Sequence, residues 1–351
     1  MNPTRRLPLA LIFGAIVSAP ALAQAPGSSM LRGKFDDLYD WKAYNNAGWR
    51  AMAKGNYVTA EHEFLSAIKV ARRPGFDHAG VLSRSYADLA WSLQEQGRLA
   101  DAEPLAKWAL ASRESTHGNN SLPVARSLNQ LGQLYHDLGR LAEAEPLLRR
   151  ASGFAEGTTR TERIELGRSH DLLGLVLVAD RRYAEAERAF HQALRLHQVA
   201  QGPTHPEIGD AYNNLAWALL EQGKVDEARP SFASALGILE ETRGPVDVSV
   251  ARALDGLARV DAIRSRPAEA EARFLRSIAI REALDPSQDS ALAETRRHYA
   301  DLLDRQGRPA DSAKVRARIA TSSRATHANG RSNPPRPIAP PTIPGPPRGG
   351  G

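Results

Sequence analysis

The sequence predicts an all-α fold, a solenoid of about seven helix-turn-helix units, and three observations carry that expectation. Small residues recur with a period of 42 residues along most of the chain. Between them apolar residues fall at helical spacing, as in Leu215, Leu219 and Leu220 or Ala186, Phe190 and Leu194. Composition agrees: 42% of residues are hydrophobic but only 6% aromatic, which suits many small helix contacts better than one large aromatic core.

The chain opens with Arg5 and Arg6, an apolar stretch from Leu7 to Val17 and the small-residue triplet Ala21-Leu22-Ala23. That layout reads as a signal peptide over residues 1–23, cut after Ala23, and places the protein in the periplasm or outside the cell. The apolar stretch is about 11 residues long and broken by Pro8, whereas a spanning helix needs about 20, so no integral membrane span is expected after cleavage. Residues 24–40 read as a linker.

Seven units follow over residues 41–319. With Gly55 as origin, one column holds Gly97, Gly139, Arg181, Gly223, Ser265 and Gly307. Seven residues earlier stand Gly48, Ala90, Gly132, Gly174, Ala216, Ala258 and Ala300; nine later stand Phe64, Ala106, Leu148, Phe190, Phe232, Phe274 and Arg316. Alanine fills six of the seven positions five residues after the origin, from Ala60 to Ala270. Small residues let two paired backbones approach, the bulky column fills the space left, and the origin supplies the turn between antiparallel helices. Pro267 and Pro309 fall at the start of the second helix, and Pro104, Pro146 and Pro230 are expected close enough to it to meet amides without intrahelical partners. The last unit, with Arg296, Arg297, Asp301, Asp304 and Arg305, is the most polar and suits a terminal cap. Residues 320–351, rich in proline, glycine and arginine and free of acidic groups, are expected to be disordered.

These columns resemble the tetratricopeptide repeat, and the spacing resembles the longer variant of kinesin light chains and many bacterial proteins. Tyr212-Asn213-Asn214-Leu215-Ala216 and Gly202-Pro203-Thr204-His205-Pro206 are similar to that variant's helix-opening and inter-repeat motifs. Arg181 and Ser265 depart from it at the turn, as do Gly118-Asn119-Asn120-Ser121 and Gly244-Pro245-Val246-Asp247 at the links. HEAT and armadillo repeats have similar lengths but do not predict these small columns. The resemblance implies a right-handed solenoid that binds proteins along its concave face.

Other functions find little support. The 46 basic side chains exceed the 40 acidic ones, but Arg5, Arg6, Arg324, Arg331, Arg336 and Arg348 account for the excess, so the repeat body is balanced and no nucleic-acid partner is expected. Cysteine is absent, which removes thiolate metal sites and thiol nucleophiles. His191 and His197 are off the spacing that puts two ligands on one helix face, and no HExxH, phosphate loop or GxSxG occurs. Glu103, Glu145 and Glu187 follow the second helix's register, a solvated or helix-start pattern. No enzyme, cofactor or metal is expected.

By the resemblance, the inward-facing columns lie thirteen, ten and six residues before the origin, one helical stripe. The first holds Lys42, Arg84, Arg126 and Arg168; the second Asn45, Asn129 and Asn213; the third Trp49, Trp91 and Trp217. Arginines pair carboxylates, asparagines hold a peptide backbone and tryptophans take apolar side chains, so the expected partner is an extended, acidic peptide or a helix segment of another protein. The alternative is a structural envelope protein whose repeats self-associate.

Overall fold

A computed structural model describes residues 28–74, 76, 80–154, 159–284 and 290–329; the expected signal peptide over residues 1–23 and the tail from residue 330 lie outside the described residues. Among the described residues there are fourteen helices and no strand, paired in chain order into seven hairpins. These are α1 (Ser28–Met52) with α2 (Tyr57–Ala71), α3 (Val81–Glu95) with α4 (Leu99–His117), α5 (Leu122–Asp137) with α6 (Leu141–Ser152) and α7 (Arg160–Ala179) with α8 (Tyr183–Gln201). Then follow α9 (Pro206–Glu221) with α10 (Val225–Arg243), α11 (Val248–Ile263) with α12 (Pro267–Leu284) and α13 (Ser290–Arg305) with α14 (Pro309–Asn329). Each helix packs on its chain neighbours, and first helices of successive hairpins also touch, which makes the array an α-solenoid. Among the described residues no helix is long and apolar enough to cross a membrane.

The turn column behaves as one element. Gly55, Gly97, Gly139, Gly223 and Gly307 have φ of 69, 73, 72, 76 and 71°, and Arg181 and Ser265 adopt the same left-handed conformation at 60 and 57°. The closing bonds match too: Arg181 N donates to Val178 O at 2.9 Å and Arg182 N to Leu177 O at 2.8 Å, as Gly139 N does to His136 O and Arg140 N to Tyr135 O. This pair of bonds satisfies carbonyls left free at the helix end. The packed helices on either side impose the geometry even where the residue disfavours it.

The small column is explained by volume. A Cβ on Gly48 would lie 2.4 Å from the Phe64 ring, one on Gly132 2.6 Å from Leu148 and one on Gly174 2.4 Å from Phe190. In the second hairpin Ala90 stands opposite the smaller Ala106, and both are buried. In these hairpins glycine thus faces the bulkiest partners and alanine accompanies alanine, so that the paired backbones approach closely.

A second periodic device joins neighbouring hairpins. Arg98, just past the turn, reaches Glu61 on α2 at 2.9 Å; Arg140 reaches Glu103 at 2.7 Å, Arg182 Glu145 at 2.8 Å, Lys224 Glu187 at 2.7 Å and Arg308 Glu271 at 2.8 Å. Glu103, Glu145 and Glu187 are thus ion-pair acceptors between units, not solvated side chains. The junction between hairpins five and six departs, because Arg229 stands in the glutamate column.

Three boundaries differ from expectation. Helix α1 begins at Ser28, inside the expected linker 24–40, because Leu38 and Trp41 pack against Val70 and Ala71 while Asp37 and Asp40 pair with Arg73. Helix α14 runs to Asn329, into the segment 320–351 expected to be disordered; no glycine or proline interrupts the stretch until Gly330. Pro104, Pro146 and Pro230 lie inside α4, α6 and α10 at the sixth position, beyond the free amides, and each removes an intrahelical bond. Pro267 and Pro309 do open their helices.

Candidate functional site

A cleft of about 630 Å³ opens on the face built by the first helices of hairpins one to four. Trp41, Trp49 and Trp91 form its apolar wall, and Arg84, Arg126 and Arg168 enter from α3, α5 and α7. Arg113 and His117 enter from α4, and Asp88 and Glu165 are the acidic groups of the lining.

The rings and guanidiniums are stacked together. Arg168 lies 4.6 Å from the Trp91 ring centre and Arg84 5.8 Å from that of Trp41, while Trp49 meets Trp91 edge-on at 6.2 Å. Such contacts hold a guanidinium in place without neutralising it. Trp41 and Trp91 anchor their own indoles by donating to Ser85 Oγ at 2.8 Å and Glu95 Oε1 at 3.1 Å. Arg168 sits two hairpins along the chain from Trp91, so this contact bridges the groove.

The two carboxylates are held from beneath. Asp88 Oδ2 accepts from Asn45 Nδ2 at 2.6 Å and lies 3.8 Å from Arg84 Nε; burial holds this carboxyl above the usual range. Glu165 accepts from Asn129 Nδ2 at 2.9 Å and from Arg126 Nε at 3.2 Å. Arg113 donates to Ser127 Oγ at 2.8 Å and to Pro123 O at 3.3 Å. Burial lowers its pKa; Asp88 opposes that shift, and Arg126 and Arg84 add to it.

Of the residues read from sequence, Trp49, Arg84, Trp91, Arg126 and Arg168 come together in this cleft. Lys42 is exposed and does not line it. The asparagine column needs correction: Asn45, Asn129 and Asn213 are each about 1% exposed, and their amides donate to Asp88, Glu165 and Ser249 O in the next hairpin. A buried amide must satisfy its donors within the fold, so these residues tie hairpins together and do not present their N–H groups to a ligand. Trp217 lies in hairpin five, packed edge-on against Phe232 at 5.4 Å with Arg259 over its ring at 5.0 Å.

Sequence reasoning missed Arg113, Trp41, Asp88 and Glu165. Arg113 carried a partial signal: sixteen residues after the turn the first and fifth units place Ala71 and Leu239, whereas the second and sixth place the cations Arg113 and Arg281. His197 occupies the same column in hairpin four, where it is buried, bonds Asp171 Oδ2 at 2.8 Å and packs so closely on Gly167 that a Cβ there would lie 2.7 Å from its ring. His205 accepts from Glu207 N at 3.4 Å and caps α9, the linker role its motif suggests.

Helical hairpins stacked at a fixed period, with a cleft on the face of their first helices, define a repeat scaffold for protein interaction. Two tetratricopeptide repeat family models match the chain, one over residues 165–241 and 218–283 and the other over 87–157, together more than half of its length. The chain belongs to the tetratricopeptide repeat family. Among solved structures, BtubC (BKLC) from P. vanneervenii is similar, with 21% identity and a TM-score of 0.51 over 75% of this chain and 97% of that one. A putative kinesin light chain from Podosopora anserina with nearly identical TPR-like repeats shares 23% identity, with a TM-score of 0.50 over 60% of this chain and 99% of that one. Aspartyl phosphate phosphatase F from Bacillus subtilis shares 12% identity, with a TM-score of 0.63 over 84% of this chain and 72% of that one. At these identities the likeness concerns the fold alone. No curated protein matches the chain.

Proposed function

We propose that the protein is an exported adaptor without catalytic chemistry of its own, and that the cleft over its first four repeats binds an extended acidic segment of a partner protein. The observation that supports this is the charge of the lining: Arg84, Arg113, Arg126 and Arg168 face Asp88 and Glu165 beside three indoles. Guanidiniums pair carboxylates in forked geometry, and aromatic and arginine side chains concentrate binding energy at interfaces. Trp49 remains 37% exposed, which leaves an apolar surface for a side chain of the partner. A short peptide binds weakly on its own, because ordering it costs several kcal/mol.

The test is fluorescence anisotropy with labelled peptides that alternate acidic and apolar residues, against basic peptides of the same length. Acidic peptides bind the wild type in a salt-sensitive manner, and a triple variant with Arg84→Glu, Arg126→Glu and Arg168→Glu loses them. Undiminished binding by a triple variant with native helix content refutes the proposal. Fractionation of producing cells checks export: retention of an unprocessed chain in the cytoplasm refutes that part.

A further inference from the structure

We infer that Arg113 makes the cleft a site for a compact, doubly charged oxyanion of the phosphate-monoester kind, with Arg84, Arg126 and Arg168 as flanking donors. The inference rests on the cleft being the binding site, and it names the chemistry that the cleft is built to hold.

The first argument is a charge count. Four guanidiniums face one cavity, and its carboxylates are Asp88 and Glu165, both already held by buried asparagine amides. Arg126 pairs with Glu165, and Arg84 stands near Asp88 at 3.8 Å. Among the described residues, no carboxylate lies within ion-pairing distance of Arg113 or Arg168. Two positive charges therefore remain in a partly desolvated hollow, where an unpaired charge is costly.

The contrast with the rest of the chain gives that count its meaning. At the hairpin junctions Arg98, Arg140 and Arg182 each have a glutamate at hydrogen-bond distance, supplied by the repeat pattern. In the cleft the same pattern sets guanidiniums beside one another and supplies no carboxylate for Arg113 or Arg168.

Geometry selects the class of anion. Arg113 is fixed by Ser127 Oγ and Pro123 O through one of its terminal nitrogens, and it shares the cavity with three further guanidinium groups. The indoles orient this set: Arg168 covers Trp91 and Arg84 covers Trp41, so those rings hold cations in place of stacking a ligand. A phosphate monoester carries about −1.5 to −2 charge with three acceptor oxygens, enough to match two uncompensated guanidiniums; a single carboxylate leaves one unmatched. The cavity of about 630 Å³ also has room for the group that bears it. A phosphorylated small molecule and a phosphorylated side chain share this chemistry.

The experiment titrates the full chain with inorganic phosphate at pH 8, against acetate and chloride at matched ionic strength, following tryptophan fluorescence and the thermal midpoint. Phosphate saturates the response at about tenfold lower concentration than acetate, and Arg113→Gln raises the half-saturating concentration about tenfold, the loss of one charge-assisted contact. Because Arg113 also ties Ser127 and Pro123, Arg168→Gln serves as the second variant and shows a similar loss. A phosphoserine peptide and glycerol phosphate, titrated alongside, tell which source carries the group: the tighter one names it. Phosphate that acts no differently from acetate, or binding unchanged in both variants, overturns the inference. Tight binding of unphosphorylated acidic peptides without phosphate binding refutes this inference alone; the reverse refutes only the acidic-segment reading.

Discussion

Arg181 and Ser265 hold φ values of 60 and 57° at turns where five other units use glycine. For an L residue the left-handed region costs roughly 1–2 kcal/mol, and glycine enters it without that strain but gives up roughly 0.5–1 kcal/mol of chain entropy. Both side chains are exposed and make no hydrogen bond or ion pair among the described residues, so nothing else is lost on truncation. Arg181→Gly and Ser265→Gly should therefore each stabilise the protein by about 0.5–1 kcal/mol, and the pair, lying in separate units, by about the sum. Gly139→Ala is the reciprocal test: at φ 72° with open space around the added Cβ, its cost is backbone strain alone, about 1 kcal/mol. Urea unfolding followed by far-ultraviolet circular dichroism, with hydrogen exchange at the α7–α8 turn as a local readout, measures all three. Unchanged or lowered midpoints in the glycine variants, together with a harmless Gly139→Ala, would show that the turn does not demand the left-handed state.

Two further predictions follow from packing and charge. Gly174→Ala places a Cβ 2.4 Å from the Phe190 ring and should destabilise by about 1–2 kcal/mol, overpacking offset in part by helix propensity; adding Phe190→Ala should cost less than the two single changes summed, measured as a double-mutant cycle. Glu185 is held at about 2, against an ordinary 4.5, by its hydrogen bonds to Arg182 and then Arg149. A carboxylate depressed in the folded state contributes stability that is complete above 4.5 and disappears as pH falls through about 2. Glu185→Gln should accordingly flatten the acid limb of a plot of thermal midpoint against pH and leave its slope near neutrality unchanged; an identical acid limb counts against the ion pair.

Much of the scaffold was legible because a solenoid states the same constraint once per hairpin. The glycine column marked the turns, and the opposition of Gly174 to Phe190 was visible as two columns of complementary size. The ion pairs between Arg140 and Glu103 were equally periodic, but their partners stand 37 residues apart and act between units, a spacing that helix register does not suggest. The site was legible in part. Trp49, Trp91 and the arginines at 84, 126 and 168 fell on one stripe and do share the cleft, whereas Asn45 and Asn129 fell on the same stripe and are buried beneath it. Periodicity tells which residues share a helix face, but the rotation of that face against its neighbour decides between groove and seam.

The sequence by itself determined the number of hairpins, the positions of their turns and the alternation of small and large residues between paired helices. Those features depend on neighbours within one repeat, where backbone geometry and side-chain volume leave few solutions. Only the tertiary structure decided that Arg181 and Ser265 take the glycine conformation, that Asn45 and Asn129 face inward to carboxylates, and that Arg113 and Arg168 line a single cavity. The first depends on how the two helices of one hairpin pack, and the other two on how far one hairpin rotates against the next. That rotation is a sum of many weak packing contacts, which no single column of residues records.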